Sequence, residues 1–230
     1  MKFFTAQMEV VPADFEANFR KIAEIAKRAR ESGAELAVFP EMFVCGFNYK
    51  KNLEYLRENG DKAERTIAEI AKESGIAICG TLPHLCDGGE MPRNRMVLVD
   101  ENGGEIAHYD KIHLFPPMKE DRHVCAGDEI VVADTKWGKL GLAICYDLRF
   151  PEMFAEMKAR GAETFIVSAA FPHPRSDDWR TLIRARAAEN NCPMVAVNRI
   201  GTESFGRTSA EYCGMSAIIS NNGTIFYICD

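Results

Sequence analysis

Apolar residues recur at two different spacings along this chain, and segments of the two kinds alternate. A spacing of three or four residues predicts an amphipathic helix, as in the segment that carries Phe15, Phe19 and Ile22 and is closed by Gly33. Another such segment opens on Pro151, a residue favoured in the first helical turn, and is closed by Gly161. The helices predicted in this way cover residues 14–30, about 62–73, 151–160 and 176–190.

Short apolar runs between these helices have the length and composition of buried strands. They cover residues 3–10, 36–39, 76–82, 95–100, 105–109, 130–134, 139–145, 164–169, 194–198, 215–219 and 225–228. The strands from 76 to 145 follow one another with no helix between them, which indicates a mixed sheet or two sheets. Because helices and strands otherwise alternate, we expect one layered α/β domain over residues 1–230.

Charge and hydropathy exclude several classes of partner. The chain has 28 Lys and Arg against 34 Asp and Glu, a net charge of −6, which argues against nucleic acid or an anionic membrane as the main partner. No apolar run approaches the ~20 residues that span a bilayer, and the first residues turn polar too soon for a signal peptide. We therefore expect a soluble cytoplasmic protein.

Familiar cofactor and metal motifs are missing from the sequence. Its 8 cysteines are scattered, without C-x-x-C or zinc-ligand spacing, so we expect buried free thiols and no metal. The glycine-rich nucleotide loops, H-E-x-x-H and G-x-S-x-G are also absent. The sequence therefore gives no motif evidence for a nucleotide-binding protein, a zinc peptidase or a serine hydrolase, and no cofactor is expected.

Three chemically useful residues each follow an apolar run. Glu41 follows the run 36–40, Lys111 follows 106–110, and Cys145 follows 140–144. Strand ends are where α/β folds place their sites. A carboxylate whose pKa is raised by burial could take a thiol proton, and a lysine could stabilise the thiolate and later an oxyanion. The backbone N–H of Tyr146 is a second candidate oxyanion donor.

Each of these residues also has an ordinary structural explanation. Cys145 taken alone fits an inert buried thiol, Glu41 a loop carboxylate or helix cap, and Lys111 a surface residue of a strand. Spacing alone does not establish that the three converge. Labelling with iodoacetamide at mildly acidic pH separates the cases, because a catalytic Cys145 is expected to have a depressed pKa and to react there, whereas an inert thiol is not.

Longer segments around these residues carry a family signature. The matching segments are 38–43 with 46–47, 109–115, 141–152, Trp179 with 184–190, and 198–201. In this order they resemble the nitrilase, or carbon–nitrogen hydrolase, superfamily over nearly the whole chain. The resemblance implies a four-layer α-β-β-α sandwich, two of which usually stack, so a homodimer or higher homo-oligomer is expected. It also implies that the C-terminal end is shortened, because relatives usually continue beyond the last hairpin.

The same resemblance assigns roles to site residues. It implies that Glu41 is the general base, Lys111 the oxyanion-stabilising lysine and Cys145 the nucleophile. A second active-site glutamate is implied in the long irregular stretch 114–127, where Glu120 fits. The resemblance implies hydrolysis of a non-peptide amide with water, through a thioester and with release of ammonia.

Three stretches narrow the resemblance: 40–43 with 46–47, 120–127, and 171–175 before Trp179. They are most similar to bacterial ω-amidases, which act on 2-oxoglutaramate. Phe171 stands where a tryptophan is common in that branch, and is expected to bind substrate. A substrate carboxylate needs a cation, for which Arg149, Arg175 and Arg180 are candidates and Arg175 is preferred. Two alternatives remain open: another member of the superfamily, such as an N-carbamoyl amine hydrolase, and a non-catalytic binding or assembly protein that keeps the fold.

Overall fold

Two β-sheets pack face to face, and helices cover their outer faces, in the computed structural model, which describes residues 2–86 and 89–229. The helices of the described chain are α1 (Phe15–Glu31), α2 (Tyr49–Asn59), α3 (Lys62–Ser74), α4 (Pro151–Ala159) and α5 (Ser176–Glu189). The expected four-layer α-β-β-α sandwich is confirmed. None of the described helices is both long and apolar enough to cross a membrane.

The first sheet has five strands in their order along the chain. They are β1 (Phe3–Thr5), β2 (Leu36–Val38), β3 (Ala77–His84), β4 (Arg93–Val99) and β5 (Glu105–Asp110). The first three strands are parallel, and β3, β4 and β5 form an antiparallel meander. The sheet is therefore mixed, as the block of strands after residue 76 predicts.

The second sheet has six strands and a parallel centre. Its strands are β6 (Val132–Thr135), β7 (Gly138–Ile144), β8 (Thr164–Ala169), β9 (Met194–Asn198), β12 (Ala217–Ile219) and β13 (Ile225–Ile228), in the spatial order β13-β12-β9-β8-β7-β6. A separate hairpin pairs β10 (Ile200–Phe205) with β11 (Thr208–Cys213). Strands β7, β8 and β9 run parallel, with α4 and α5 as the crossovers between them.

Alternation along the strands of the first sheet assigns neighbouring side chains to two different cores. In β2, Leu36 and Val38 join the core between the sheets, whereas Ala37 joins the core under the helices. The outer core of the first sheet receives Ile22 of α1 and Ile67 of α3. This two-sided burial explains why the strands read as continuous apolar runs.

The structure differs from the sequence-based prediction in three elements. Helix α2 was not predicted, because it is largely polar and buries only Asn52 and Leu56. The hairpin β10–β11 was also missed, because most of its residues are exposed or half-buried and carry no apolar pattern. Strand β1 ends at Thr5 rather than at Val10, although alternate residues beyond it remain buried.

Candidate active site

The three residues singled out at strand ends line one cavity of about 300 Å³. Glu41 lies in the turn after β2, and Lys111 directly follows β5, both in the first sheet. Cys145 directly follows β7 of the second sheet. The cavity therefore lies where strand ends from both sheets meet, and each sheet contributes part of it.

Lys111 is the centre of a buried charge cluster. Its Nζ lies 2.8 Å from Oε1 of Glu41, and 3.1 and 2.9 Å from Oε1 and Oε2 of Glu120. The exposed fraction of Glu41 and Lys111 is 1% each, and that of Glu120 is 2%. The structure thus brings a buried Glu120 to the predicted triad.

Glu120 is held by its own loop as well as by the lysine. The stretch 114–127 is not featureless, because it folds into two 3-10 turns, Pro116–Met118 and Glu120–Arg122. The N–H of Phe115 donates to Oε2 of Glu120 over 2.7 Å. The long irregular loop therefore delivers a fixed carboxylate to the cavity.

Asn94 completes the cluster and was missed from the sequence. Its Nδ2 donates to Oε1 of Glu41 over 2.9 Å and to Oε1 of Glu120 over 3.2 Å. The predicted strand 95–100 left Asn94 out, whereas β4 begins at Arg93 and holds the asparagine inside it, although asparagine is depleted in strands. A polar residue retained in a buried strand is often held there by a partner such as these carboxylates.

A sharp turn presents the sulfur of Cys145. The residue has a φ of 47°, in the left-handed region that non-glycine residues rarely adopt. Strain of this kind costs about 1–3 kcal/mol and persists only where the surroundings impose it. Here the buried carboxylate of Asp147 imposes it, because its Oδ2 accepts the N–H of Ile144 over 2.8 Å.

The same carboxylate ties the turn to the loop after Lys111. Oδ1 of Asp147 accepts the backbone N–H of His113 over 3.1 Å and lies 2.8 Å from Nδ1 of its ring. The segments that carry the amine and the thiol are therefore joined through one buried side chain.

Burial and the neighbouring charges set the protonation states. Burial raises the pKa of Glu41, although Lys111 opposes the shift. Burial and the charge of Glu41 raise the pKa of the Cys145 thiol well above its usual 9.0. Burial lowers the pKa of Lys111, but the Glu120 and Glu41 carboxylates outweigh it and leave the pKa well above 10.5.

The expectation of a depressed thiol pKa is therefore wrong for this protein. The lysine is occupied by two carboxylates, and the carboxylate beside the sulfur disfavours a second negative charge. Glu41 and Cys145 line the same cavity, and the charge of Glu41 acts on the Cys145 thiol. The resting arrangement is a neutral thiol next to a proton acceptor.

The predicted substrate-binding residues lie in the wall of the cavity, except for one of the three candidate arginines. Tyr146 and Phe171 line it, and the Phe171 ring packs 5.2 Å from that of Trp179. Arg175 and Arg149 also line it, whereas Arg180 does not. Further aromatic rings of the wall that sequence analysis did not assign to the site are those of Phe47, Tyr49, Phe115 and Tyr212.

The two arginines of the wall share one carboxylate. Oδ2 of Asp178 lies 2.5 Å from Nη2 of Arg149 and 3.2 Å from Nη1 of Arg175. The Arg149 guanidinium lowers the pKa of Asp178, which stays ionised. Two cations against one anion leave this side of the cavity with a surplus positive charge, which suits an anionic ligand.

The donor chemistry of the cavity does not suggest a metal. Over residues 2–86 and 89–229, no group of three or more His, Cys, Asp or Glu is arranged to hold one. The lysine already neutralises the paired carboxylates that a cation would otherwise bind.

Comparison with known proteins gives consistent matches. A family model described as carbon–nitrogen hydrolase matches residues 5–230. The chain is 34% identical to a deaminated glutathione amidase of Dictyostelium discoideum, over 92% of this chain and 78% of the relative. It is 32% identical to a 2-oxoglutaramate amidase of Bacillus subtilis (strain 168), over 92% of this chain and 82% of the relative.

A solved structure has the same fold. An amidase from Nesterenkonia sp. AN1, in its E41Q mutant with acrylamide added to the active-site cysteine, superimposes with a TM-score of 0.91 at 29% identity. The match covers 100% of this chain and 89% of the other. From these matches we conclude that the chain belongs to the carbon–nitrogen hydrolase family and is a hydrolase of carbon–nitrogen bonds other than peptide bonds.

Proposed function

We propose that this protein hydrolyses the terminal amide of a small linear carboxylic acid of the 2-oxoglutaramate kind and releases ammonia. The observation that supports the reaction is the meeting of a carboxylate, an ammonium and a thiol in one cavity: Glu41, Lys111 and Cys145. The observation that supports the substrate class is the pair of arginines in the wall, together with similarity to a 2-oxoglutaramate amidase.

The first half-reaction forms a thioester. Glu41 takes the proton of the neutral thiol while the sulfur of Cys145 attacks the amide carbon, so that no free thiolate has to accumulate. The oxyanion is held by Nζ of Lys111 and the N–H of Tyr146. Glu41 then gives its proton to the nitrogen, the C–N bond breaks, and ammonia leaves.

The second half-reaction returns the enzyme to its starting state. Water attacks the thioester carbon and gives a proton to Glu41, and the C–S bond breaks as the thiol regains that proton. Glu120 accepts from Lys111 throughout, and fixes the ammonium without taking part in proton transfer. Because its two contacts with Nζ can share one N–H, another N–H of Lys111 is free for the oxyanion.

The decisive experiment is ammonia release by wild type and Cys145→Ala on a panel of linear amides. We expect wild type to be active on 2-oxoglutaramate and Cys145→Ala to lose that activity by at least ~10³-fold. Cys192→Ala is the matched control, because it removes another buried thiol, one that does not line the cavity. Intact-mass detection of an acyl adduct on Cys145 adds direct support.

The panel also tests the alternatives. Carbon dioxide released with ammonia from an N-carbamoyl amine would favour a carbamoyl hydrolase instead. Deaminated glutathione is included because one relative carries that name. Near-normal ammonia release by Cys145→Ala would contradict the mechanism, and no activity of wild type on any amide would favour a non-catalytic role.

We further propose a single domain over residues 1–230 that forms a homodimer or higher homo-oligomer in the cytoplasm. The family match over 5–230 supports the single domain. The resemblance to a superfamily whose sandwiches stack supports the oligomer. Light scattering after size-exclusion chromatography gives the assembled mass, and cell fractionation gives the compartment.

A further inference from the structure

Asn94 contacts both carboxylates of the cluster with a single nitrogen atom. Nδ2 lies 2.9 Å from Oε1 of Glu41 and 3.2 Å from Oε1 of Glu120, so its two hydrogens are both used. The side chain is placed by its strand, because the backbone carbonyl of Asn94 accepts the N–H of Lys111 over 3.0 Å. Asn94 is 2% exposed.

The orientation of this amide is fixed by charge. If it were rotated by 180°, its carbonyl oxygen would face two carboxylates and repel them. In the orientation observed, Oδ1 is buried without a hydrogen-bond partner in the described part of the chain. An unpartnered buried acceptor is unfavourable for folding, so the fold alone does not explain this asparagine, whereas its contact with the two carboxylates does.

One oxygen of the Glu41 carboxylate accepts the hydrogen bonds of both Lys111 and Asn94. Oε1 accepts from Nζ of Lys111 over 2.8 Å and from Nδ2 of Asn94 over 2.9 Å. We propose that Asn94 is a positioning residue that pins Oε1 of Glu41 and thereby leaves Oε2 as the oxygen that takes the proton of Cys145. This inference rests on the proposed role of Glu41 as the base.

The contact has a second effect, on the acidity of the base. A hydrogen bond to the ionised form of a carboxylic acid favours that form. Asn94 therefore offsets part of the rise in the pKa of Glu41 that burial causes. The ionisable groups that face Glu41 or feel its charge are Lys111, Glu120, Cys145, Tyr49 and Tyr212.

The test compares Asn94→Ala and the nearly isosteric Asn94→Asp with wild type and with Asn18→Ala. Asn18 is the matched control, because it is equally buried and its side chain makes three hydrogen bonds, but it lies on α1 away from the cavity. The measurements are kcat and KM against pH, and the pH dependence of alkylation of Cys145 by iodoacetamide, followed on its peptide by mass spectrometry.

Both Asn94 variants should lower kcat by about 10- to 100-fold, with KM within about twofold, because the base is misplaced and the substrate contacts are not. The acid limb of kcat/KM and of alkylation should move to higher pH by about one unit, and at least as far in Asn94→Asp. Asn18→Ala should lose stability while both limbs stay in place.

The proposal would be overturned if the Asn94 variants kept the acid limbs of kcat/KM and of alkylation at the wild-type pH and showed only a lower melting temperature. Asn94 would then be a structural residue. If Asn94→Ala does not fold, Asn94→Leu decides the question, because it keeps the shape of the side chain without a donor and without the negative charge by which Asn94→Asp would itself raise the pKa of Glu41. If wild type hydrolyses none of the amides, the proposed function fails, but alkylation of Cys145 still reports whether Asn94 controls Glu41.

Discussion

The hydroxyl of Tyr109 donates a hydrogen bond of 2.7 Å to Oδ2 of Asp147. Tyr109 belongs to β5 of the first sheet, two residues before Lys111, and Asp147 lies after β7 of the second sheet, two residues after Cys145. This one contact therefore joins the strand end that carries the amine to the turn that carries the sulfur. Both residues are fully buried.

Tyr109→Phe should destabilise the protein by about 1–3 kcal/mol, because a buried charged acceptor loses a donor. Its kcat should fall as well, since Lys111 and Cys145 lose a common tether. Tyr55→Phe is the control, because the buried hydroxyl of Tyr55 has no hydrogen-bond partner in the described chain, and its removal should be nearly neutral. Urea unfolding compares the two; equal stability of Tyr109→Phe and wild type would disprove the assignment.

Activity should be lost on acidification at an unusually high pH, and it should not be lost on the alkaline side below pH 9.0. The proposed mechanism needs an ionised Glu41, and burial raises its pKa, so kcat/KM should fall as the pH drops through a value above the usual 4.5. The raised pKa of Cys145 keeps its thiol protonated beyond 9.0, so no decline from that group is expected below this pH. Ammonia release measured from pH 4 to 10 checks both limbs, and an acid midpoint at or below 4.5 would contradict the buried base.

A second buried ion pair lies beside the cavity. Removing one of its partners should lower the free energy of unfolding far more than removing one partner of an exposed ion pair. Nη1 of Arg199 lies 2.7 Å from Oε2 of Glu203, whose Oε1 accepts the N–H of Phe47, a cavity residue, over 2.7 Å. Glu203→Ala leaves a buried guanidinium unpaired and should destabilise the fold by about 3–5 kcal/mol.

Glu54→Ala is the control for this pair, because Glu54 pairs with Lys50 at 3.9 Å on the exposed face of α2 and should contribute about 0–1 kcal/mol. Urea unfolding again gives the free energies. Similar losses in Glu203→Ala and Glu54→Ala would show that the buried pair is not a structural support of the cavity wall.

Arg175→Ala should raise KM for 2-oxoglutaramate by about three- to tenfold, because a partly exposed guanidinium no longer meets the substrate carboxylate. The matched test is a neutral amide of similar length, for which KM should stay the same. Arg149→Ala shows which of the two arginines contributes more, since both contact Asp178. An unchanged KM for 2-oxoglutaramate in both variants would remove the arginines from substrate recognition.

The sequence predicts the three residues proposed as catalytic better than it predicts Asn94, which contacts two carboxylates of the cluster. Glu41, Lys111 and Cys145 each stand directly after an apolar run, so their meeting follows from where strands end, once the family resemblance supplies the pairing of the strands. Asn94 does not follow an apolar run, its partners lie 53 and 26 residues away, and the pairing of β4 with β5 brings it beside Lys111 but explains neither carboxylate contact.

Elements that pack weakly were the ones that escaped prediction. Helix α2 buries few side chains, and hairpin β10–β11 is held mainly by pairing between its own strands, so neither shows a strong period. The pKa of Cys145 was expected in the wrong direction for a related reason. The sequence shows that a lysine is available, but not that Glu41 and Glu120 already occupy it.

The cluster is divided between two sheets, so activity should depend closely on the relative position of the sheets. Glu41, Lys111 and Asn94 are carried by strands of one sheet and Cys145 by a strand of the other, so a slide of about 1 Å that breaks the bond from the N–H of Glu41 to the carbonyl of Ala169 would separate base from sulfur. Each sheet would keep its own hydrogen-bonded ladder and its helices after such a slip. During gentle heating, hydrolysis should therefore cease while far-ultraviolet circular dichroism still reports an intact backbone.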